Sequence, residues 1–250
     1  MTCTPATVKS AARALELLEH FRAERVPRSR KDIADALGYP QSSTTALLKS
    51  LTVLGYLNYD RVQRVYFPTL RVAALGEWIG PTLLGDNEQL LEAMRDVHNA
   101  TGETVSLGLL NDVYMQHVRI IQSTHAMRFY TEEGSMRPVV KSSLGWLLMS
   151  TRSQEQIERL VRRSNIVITQ PAERVNVAEM VQRILSFKGQ SQIYIEGMPF
   201  ADGATMCALV PVTIHGQPVV LGLGGSLERV RANRVRYAAV LRRAVASIRP

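Results

Sequence analysis

Lys31-Asp32-Ile33-Ala34-Asp35-Ala36-Leu37-Gly38-Tyr39-Pro40-Gln41-Ser42-Ser43-Thr44-Thr45-Ala46-Leu47-Leu48-Lys49-Ser50-Leu51 holds two short amphipathic patterns around a turn. Ile33, Ala34 and Leu37 recur at helical spacing until Gly38 ends the run. Pro40, Ser42 and Ser43 restart it, because proline suits a first helical turn and a serine oxygen can accept a free backbone N–H there. The second pattern turns Leu47, Leu48, Leu51 and Leu54 inward and Gln41, Ser42, Thr44 and Thr45 outward. A helix with small hydrogen-bonding groups on its first turns can enter a DNA major groove end-on, its N-terminus facing phosphate. Arg30, Ser43 and Lys49 add polar groups around it. The competing reading is a small helical hairpin that caps a domain.

Working outward, Gly55 to Pro68 alternates as two short strands about Arg61-Val62-Gln63-Arg64. Arg61 and Arg64 at this tip can reach phosphate or a minor groove, or stand as ordinary solvated charge. Upstream, Val8 to Phe21 predicts a helix with Ala11, Ala14, Leu15, Leu18 and Phe21 in one stripe. Three helices and a hairpin make a first unit of roughly 70 residues. Downstream, Thr69 to Ile79 predicts a helix, interrupted at Pro81 and free to turn at Gly85. Its apolar surface exceeds what a free connector tolerates, so a partner subunit or the next domain is expected against it.

The chain has 250 residues, 46% of them hydrophobic, which is material for two cores. A net charge of +8 favours an acidic partner, nucleic acid first. Residues 1–80 hold eleven basic against seven acidic residues, and 81–250 hold nineteen against fifteen. The shorter part is therefore the more basic per residue. Two cysteines, Cys3 and Cys207, exclude a disulfide scaffold and suggest a reducing interior. With no apolar run long enough for a membrane span and no signal core, a cytoplasmic location is expected.

Beyond the linker the pattern mixes strands and helices. Asn87 to Thr101 reads as a helix, and Thr104–Leu110 with Val113–Ile121 as a hairpin about Asn111-Asp112. Helices follow at Ser142–Met149, Gln154–Arg163 and Val175–Lys188, and strands at Gln192–Ile195, Thr205–Val212 and Val219–Gly225. An arginine-rich helix, Arg229–Arg249, closes the chain. The sum is an α+β domain with an antiparallel sheet and helices on its sides.

These pieces together resemble the IclR family of bacterial transcription regulators over nearly the whole chain. The likeness rests on Ser10 to Leu15, Asp32-Ile33-Ala34 through Ser42-Ser43 and Leu47-Leu48, and Gly55-Tyr56 with the wing. It continues through Leu90 to Val105, Gly134-Ser135 with Pro138, Leu144-Gly145, Cys207 with Pro211-Val212, and Gly222 to Ser226. The resemblance implies a winged helix-turn-helix over 1–68, a linker helix over 69–85 and a GAF-like effector-binding domain over 86–250. It also implies a double-stranded DNA operator, a small organic effector and self-association as a dimer or a dimer of dimers. Ala46 stands where the family usually has Arg. Val139 to Ser143, Gly145-Trp146, and Gly224 with Ser226 also depart from its habits.

No pattern here demands catalysis, a metal or a cofactor. His20, His98, His117, His125 and His215 are scattered, Glu132-Glu133 reads as a solvated loop, and Ser142 as a helix cap with no base beside it. The resemblance places an effector pocket between the sheet and the Gly134 to Ser142 loop, with Cys207 and Ser226 in its lining. Met127, Phe129, Tyr130 and Trp146 can enclose an apolar or aromatic body, and the N–H groups at Ser142 can receive a carboxylate. Trp146 reads equally as core, Cys207 equally as a small buried hydrophobe, and Lys141 as an anion partner or a solvated charge. The expected function is a DNA-binding regulator controlled by a small organic effector, an aromatic or a carboxylic acid. The alternative is a sensor or enzyme domain with an N-terminal adaptor and no specific operator.

Overall fold

A computed structural model describes residues 8–79 and 88–249, which fall into two compact units, Met1–Leu83 and Leu84–Pro250. Residues 1–7, Pro81, Gly85 and the Asn87 start of the predicted helix lie outside the described residues.

The first unit runs α1 (Lys9–Glu24), β1 (Arg28–Ser29), α2 (Arg30–Leu37), α3 (Gln41–Val53), β2 (Leu57–Asp60), β3 (Val65–Pro68) and α4 (Leu70–Glu77). Ser29 and Asp32 cap α2 reciprocally, and Gly38 ends it with φ 65°. Leu17, Phe21, Ile33, Leu48, Leu51 and Leu57 form the core. The α1 stripe is therefore centred on Leu17 and Phe21, one turn apart, and Leu15 faces solvent. β1, unforeseen in a basic connection, pairs with β3 at Arg28–Tyr66 and Ser29–Val65.

The second unit runs α5 (Glu88–Thr101), β4 (Thr104–Asn111), β5 (Tyr114–Ile121), β6 (Met136–Pro138), α6 (Ser143–Ser150), α7 (Gln154–Val167), α8 (Val177–Leu185), β7 (Gln192–Glu196), β8 (Gly203–Ile214), β9 (Gln217–Ser226), α9 (Leu227–Ala232) and α10 (Arg234–Ala246). Its six strands form one antiparallel sheet in the order β6-β5-β4-β9-β8-β7. The predicted closing helix is broken at Asn233 into α9 and α10.

Every residue of α6 is buried, so this helix is core rather than amphipathic surface. It lies on the sheet because Gly222 offers no Cβ. One built there would come 2.9 Å from Leu144 Cδ1. Alternation along β9 then turns Leu221 and Leu223 to the other face. Helices α5, α9 and α10 pack on the sheet as well, and α7 and α8 pack beyond α6.

Glu103 links these layers. Its carboxylate is fully buried and takes two bonds from Arg229, at 2.6 and 2.9 Å. Gly225 is the residue that makes room, since a Cβ there would overlap the carboxylate. Gly225→Ala is expected to lower stability by about 1–3 kcal/mol through overpacking, read from the denaturant midpoint of the second unit.

Candidate functional site

The DNA-reading candidates lie on α2, α3 and the β2–β3 wing. No side chain caps α3, whose N-cap is Pro40. The Ser43 and Thr44 hydroxyls instead donate to the Pro40 carbonyl, at 2.9 and 3.1 Å. Thr44 is fully buried, which corrects its expected outward position, and Leu54 is exposed rather than inward. The reason is helical spacing: Thr44, Leu48 and Leu51 stand four and three residues apart and share one face.

Gln41, Ser42, Thr45, Ala46 and Lys49 are exposed, and Ser43 is half-buried. The Thr45 hydroxyl donates to the Gln41 carbonyl at 2.8 Å and accepts from the Arg30 guanidinium at 3.3 Å, which draws Arg30 to this surface. In the wing, one Asp60 carboxylate oxygen accepts from the Val62 and Gln63 backbone N–H groups at 2.7 and 2.9 Å. Arg64 leaves the turn at φ 57°, and Arg61 and Arg64 are both exposed.

In the second unit a cavity of about 60 Å³ opens between the sheet and the start of α6. Thr104 and Ser106 of β4, Thr205 of β8 and Gly222 to Gly225 of β9 form its sheet side. Ser142, Ser143 and Leu144 face them, and Phe129 and Pro199 stand at the rim. Phe129 packs on Phe200 with ring centroids 4.9 Å apart. The Thr205 hydroxyl donates to Ser143 Oγ at 2.6 Å, which uses the Thr205 hydrogen. Ser142 caps α6, accepting from the Gly145 N–H at 3.2 Å.

Two basic side chains, His117 of β5 and Arg137 of β6, complete the lining. Burial, with the Arg137 charge adding to it, pushes His117 down to about 4. Its Nδ1 is buried with no hydrogen-bond partner among the described residues. Burial also lowers Arg137, whose guanidinium lies 5.5 Å from the centre of the Phe200 ring.

Of the residues read as effector-binding, Phe129 and Ser142 line this cavity. Trp146 belongs to the core instead: it is buried, stacks on Phe187 and donates to the Val140 carbonyl at 2.8 Å. Cys207 lies beneath α6, its thiol 3.7 Å from the Ser143 carbonyl and pushed well above its ordinary range by burial. Met127 and Tyr130 are exposed, Gly134 serves a turn at φ 78°, and Ser226 stands at the α9 N-cap. Lys141 and Trp146 border a separate open recess. His117 and Arg137 were missed because neither carries a local motif. A β6 strand of three residues brings Arg137 to the site by pairing Arg137 with Met115. Among the described residues no His, Cys, Asp and Glu cluster is fit to hold a metal ion, and no helix is long and apolar enough to cross a membrane.

A winged helix-turn-helix joined to a cavity-bearing α+β unit defines a class, the two-domain DNA-binding regulators. Residues 10–61 match the IclR helix-turn-helix domain, and residues 87–249 match the bacterial transcriptional regulator IclR C-terminal domain. The chain belongs to the IclR family, whose members are DNA-binding regulators rather than enzymes. It is 23% identical over 252 residues to the transcriptional regulator KdgR of Escherichia coli, covering 98% of this chain and 92% of that one. The effector domain of an IclR regulator from Acinetobacter sp. ADP1 is 41% identical, over 65% of this chain and 94% of that one, with a TM-score of 0.62. An IclR homolog from Microbacterium hydrocarbonoxydans, solved with 4-hydroxybenzoate, shares the fold at 17% identity and a TM-score of 0.70, over 96% and 97% of the two chains.

Thr44→Val keeps the shape and removes one buried hydroxyl bond. It should cost about 1 kcal/mol in denaturant unfolding and leave DNA sequence preference unchanged in competition binding. For His117, the folded value of about 4 lies below the unfolded value of about 6.5, so the unfolded state binds more protons between them. Stability should therefore fall by roughly 3 kcal/mol from pH 7 to pH 4 on this account, and His117→Gln should flatten that part of the denaturation profile.

Proposed function

We propose that the chain is a sequence-specific operator-binding regulator whose DNA affinity is set by a small organic effector held in the second-unit cavity. The observation that carries this reading is the cavity itself: a half-open, largely apolar space with a few convergent polar groups, in a chain that also has a complete winged helix-turn-helix. Base contacts fall to Gln41, Ser42 and Thr45, with Ser43 behind them. Phosphate contacts fall to Arg30, Lys49, Arg61 and Arg64. The absence of an arginine at Ala46 shifts the electrostatic share of binding to the wing and to Arg30.

A dimer supports two-fold reading of an operator, because two recognition helices must lie about one DNA turn apart. Its candidate contact is α4, which buries no residue of its own and leaves Leu70, Leu75 and Trp78 exposed. A dimer of dimers is compatible with the same surface. Effector binding changes operator affinity to the extent that the ligand binds the DNA-competent arrangement and its alternative unequally. Such a regulator works in the cytoplasm, where its DNA is.

Footprinting on the DNA upstream of the protein's own gene tests this, with a two-fold symmetric protected site expected. Arg64→Ala should weaken binding to all sequences alike and reduce the salt slope by about 1. Thr45→Ala should lower discrimination against single-base operator variants by about 1 kcal/mol. Absence of any protected site, or two variants indistinguishable from the parent, would overturn the assignment.

A further inference from the structure

Among the described residues, the cavity lining contains one guanidinium, Arg137, and no carboxylate. Burial is the cause of the lowered Arg137 value, and no acidic neighbour raises it. Its contact within the described residues is the edge of an aromatic pair, the Phe200 ring that packs on Phe129. A guanidinium that has lost part of its water without gaining an anion is poised to take one, and its planar fork suits two carboxylate oxygens.

We propose that the cavity ligand is a compact monocarboxylate with an apolar body, its carboxylate held by Arg137. This rests on the effector reading of the same cavity. The charge count limits the ligand to one carboxylate: the other basic group, His117, is neutral near pH 7, so a second carboxylate would be buried unpaired. The body is largely apolar because Phe129, Leu144 and Pro199 line the space, while the Thr205 hydroxyl is already donated to Ser143 Oγ. Size is limited too. About 60 Å³ is well below the roughly 150 Å³ that accommodates benzene in an engineered apolar cavity. A short aliphatic acid fits within that volume, whereas an aromatic acid exceeds it.

Calorimetry on the full chain with propionate, propionamide, succinate and gluconate tests the assignment. Saturable propionate binding below about 10 mM is expected, at least tenfold tighter than for the other three. Arg137→Gln should abolish the preference for propionate over propionamide. Arg137→Lys, which keeps the charge but not the fork, should weaken propionate about tenfold and gives the result if the glutamine variant does not fold. The proposal is overturned if propionate fails to bind, if the amide, the diacid or the polyhydroxy acid binds as tightly, or if both Arg137 variants bind propionate as the parent does. Operator affinity in the same solutions separates the two readings. Propionate bound through Arg137 with unchanged operator affinity would sink effector control and leave this assignment standing. A neutral compound that shifts operator affinity equally in the parent and Arg137→Gln would do the reverse.

Discussion

The second unit depends on a carboxylate that has no access to water. Glu103 stands between α5 and β4, fully buried, and an ionised group in that position is tolerable only with partners in good geometry. Arg229 supplies two of them, and the Tyr237 hydroxyl, 3.4 Å from Oε1, stands at the edge of the pair. The same contact raises the Arg229 value, through the hydrogen bond to Glu103 first. His125 comes within 3.8 Å of the carboxylate while its ring nitrogen lies 3.2 Å from the Thr101 carbonyl. One ion pair thereby joins the start of a central strand, the end of its neighbour and both C-terminal helices. Removing one partner from such a pair leaves an uncompensated buried charge, typically about 3–5 kcal/mol.

That latch lies next to the cavity. Thr104 follows Glu103 directly, Gly225 clears space for the carboxylate, and both line the cavity. On the opposite wall, Leu144 approaches the sheet where Gly222 offers no side chain. The cavity exists because α6 is held close at Leu144 while the Phe129 and Pro199 segments bridge the rim. Its basic character comes from the β5–β6 edge, where His117 Nδ1 has no hydrogen-bond partner among the described residues and Arg137 is half-buried. A pocket built this way has sheet and helix walls and an aromatic rim.

Much of the architecture was legible in the chain. The Gly38 break, the alternation around Arg61 to Arg64 and the apolar run of Ser142 to Met149 each reported local periodicity that the fold kept. Periodicity misled where its phase was misjudged. Thr44 was counted outward because it is polar, although its spacing from Leu48 and Leu51 places it inward. Its hydroxyl is accommodated by the Pro40 carbonyl, a bond that no pattern of apolar residues reveals. Leu15 and Leu54 erred the other way, as apolar residues taken for core. In the pocket, Phe129 and Ser142 were legible as an aromatic in a loop and a serine before a helix. Trp146 and Cys207 were ambiguous by type, and the packing of α6 resolved both into core.

The sequence by itself determined the two-part organisation, the helix-turn-helix with its wing, the family and the antiparallel α+β character of the second part. These follow from local periodicity, turn residues and ordered motifs, all properties of neighbouring positions. Tertiary structure alone decided which residues meet across long separations: Glu103 with Arg229, Ser143 with Thr205, and Arg137 beside His117 and Phe200. The physical reason is that burial, pairing and charge compensation belong to the surroundings a side chain acquires in the fold. An arginine reads alike on a solvated strand and at the wall of a cavity, and the loss of water at Arg137 is what distinguishes them.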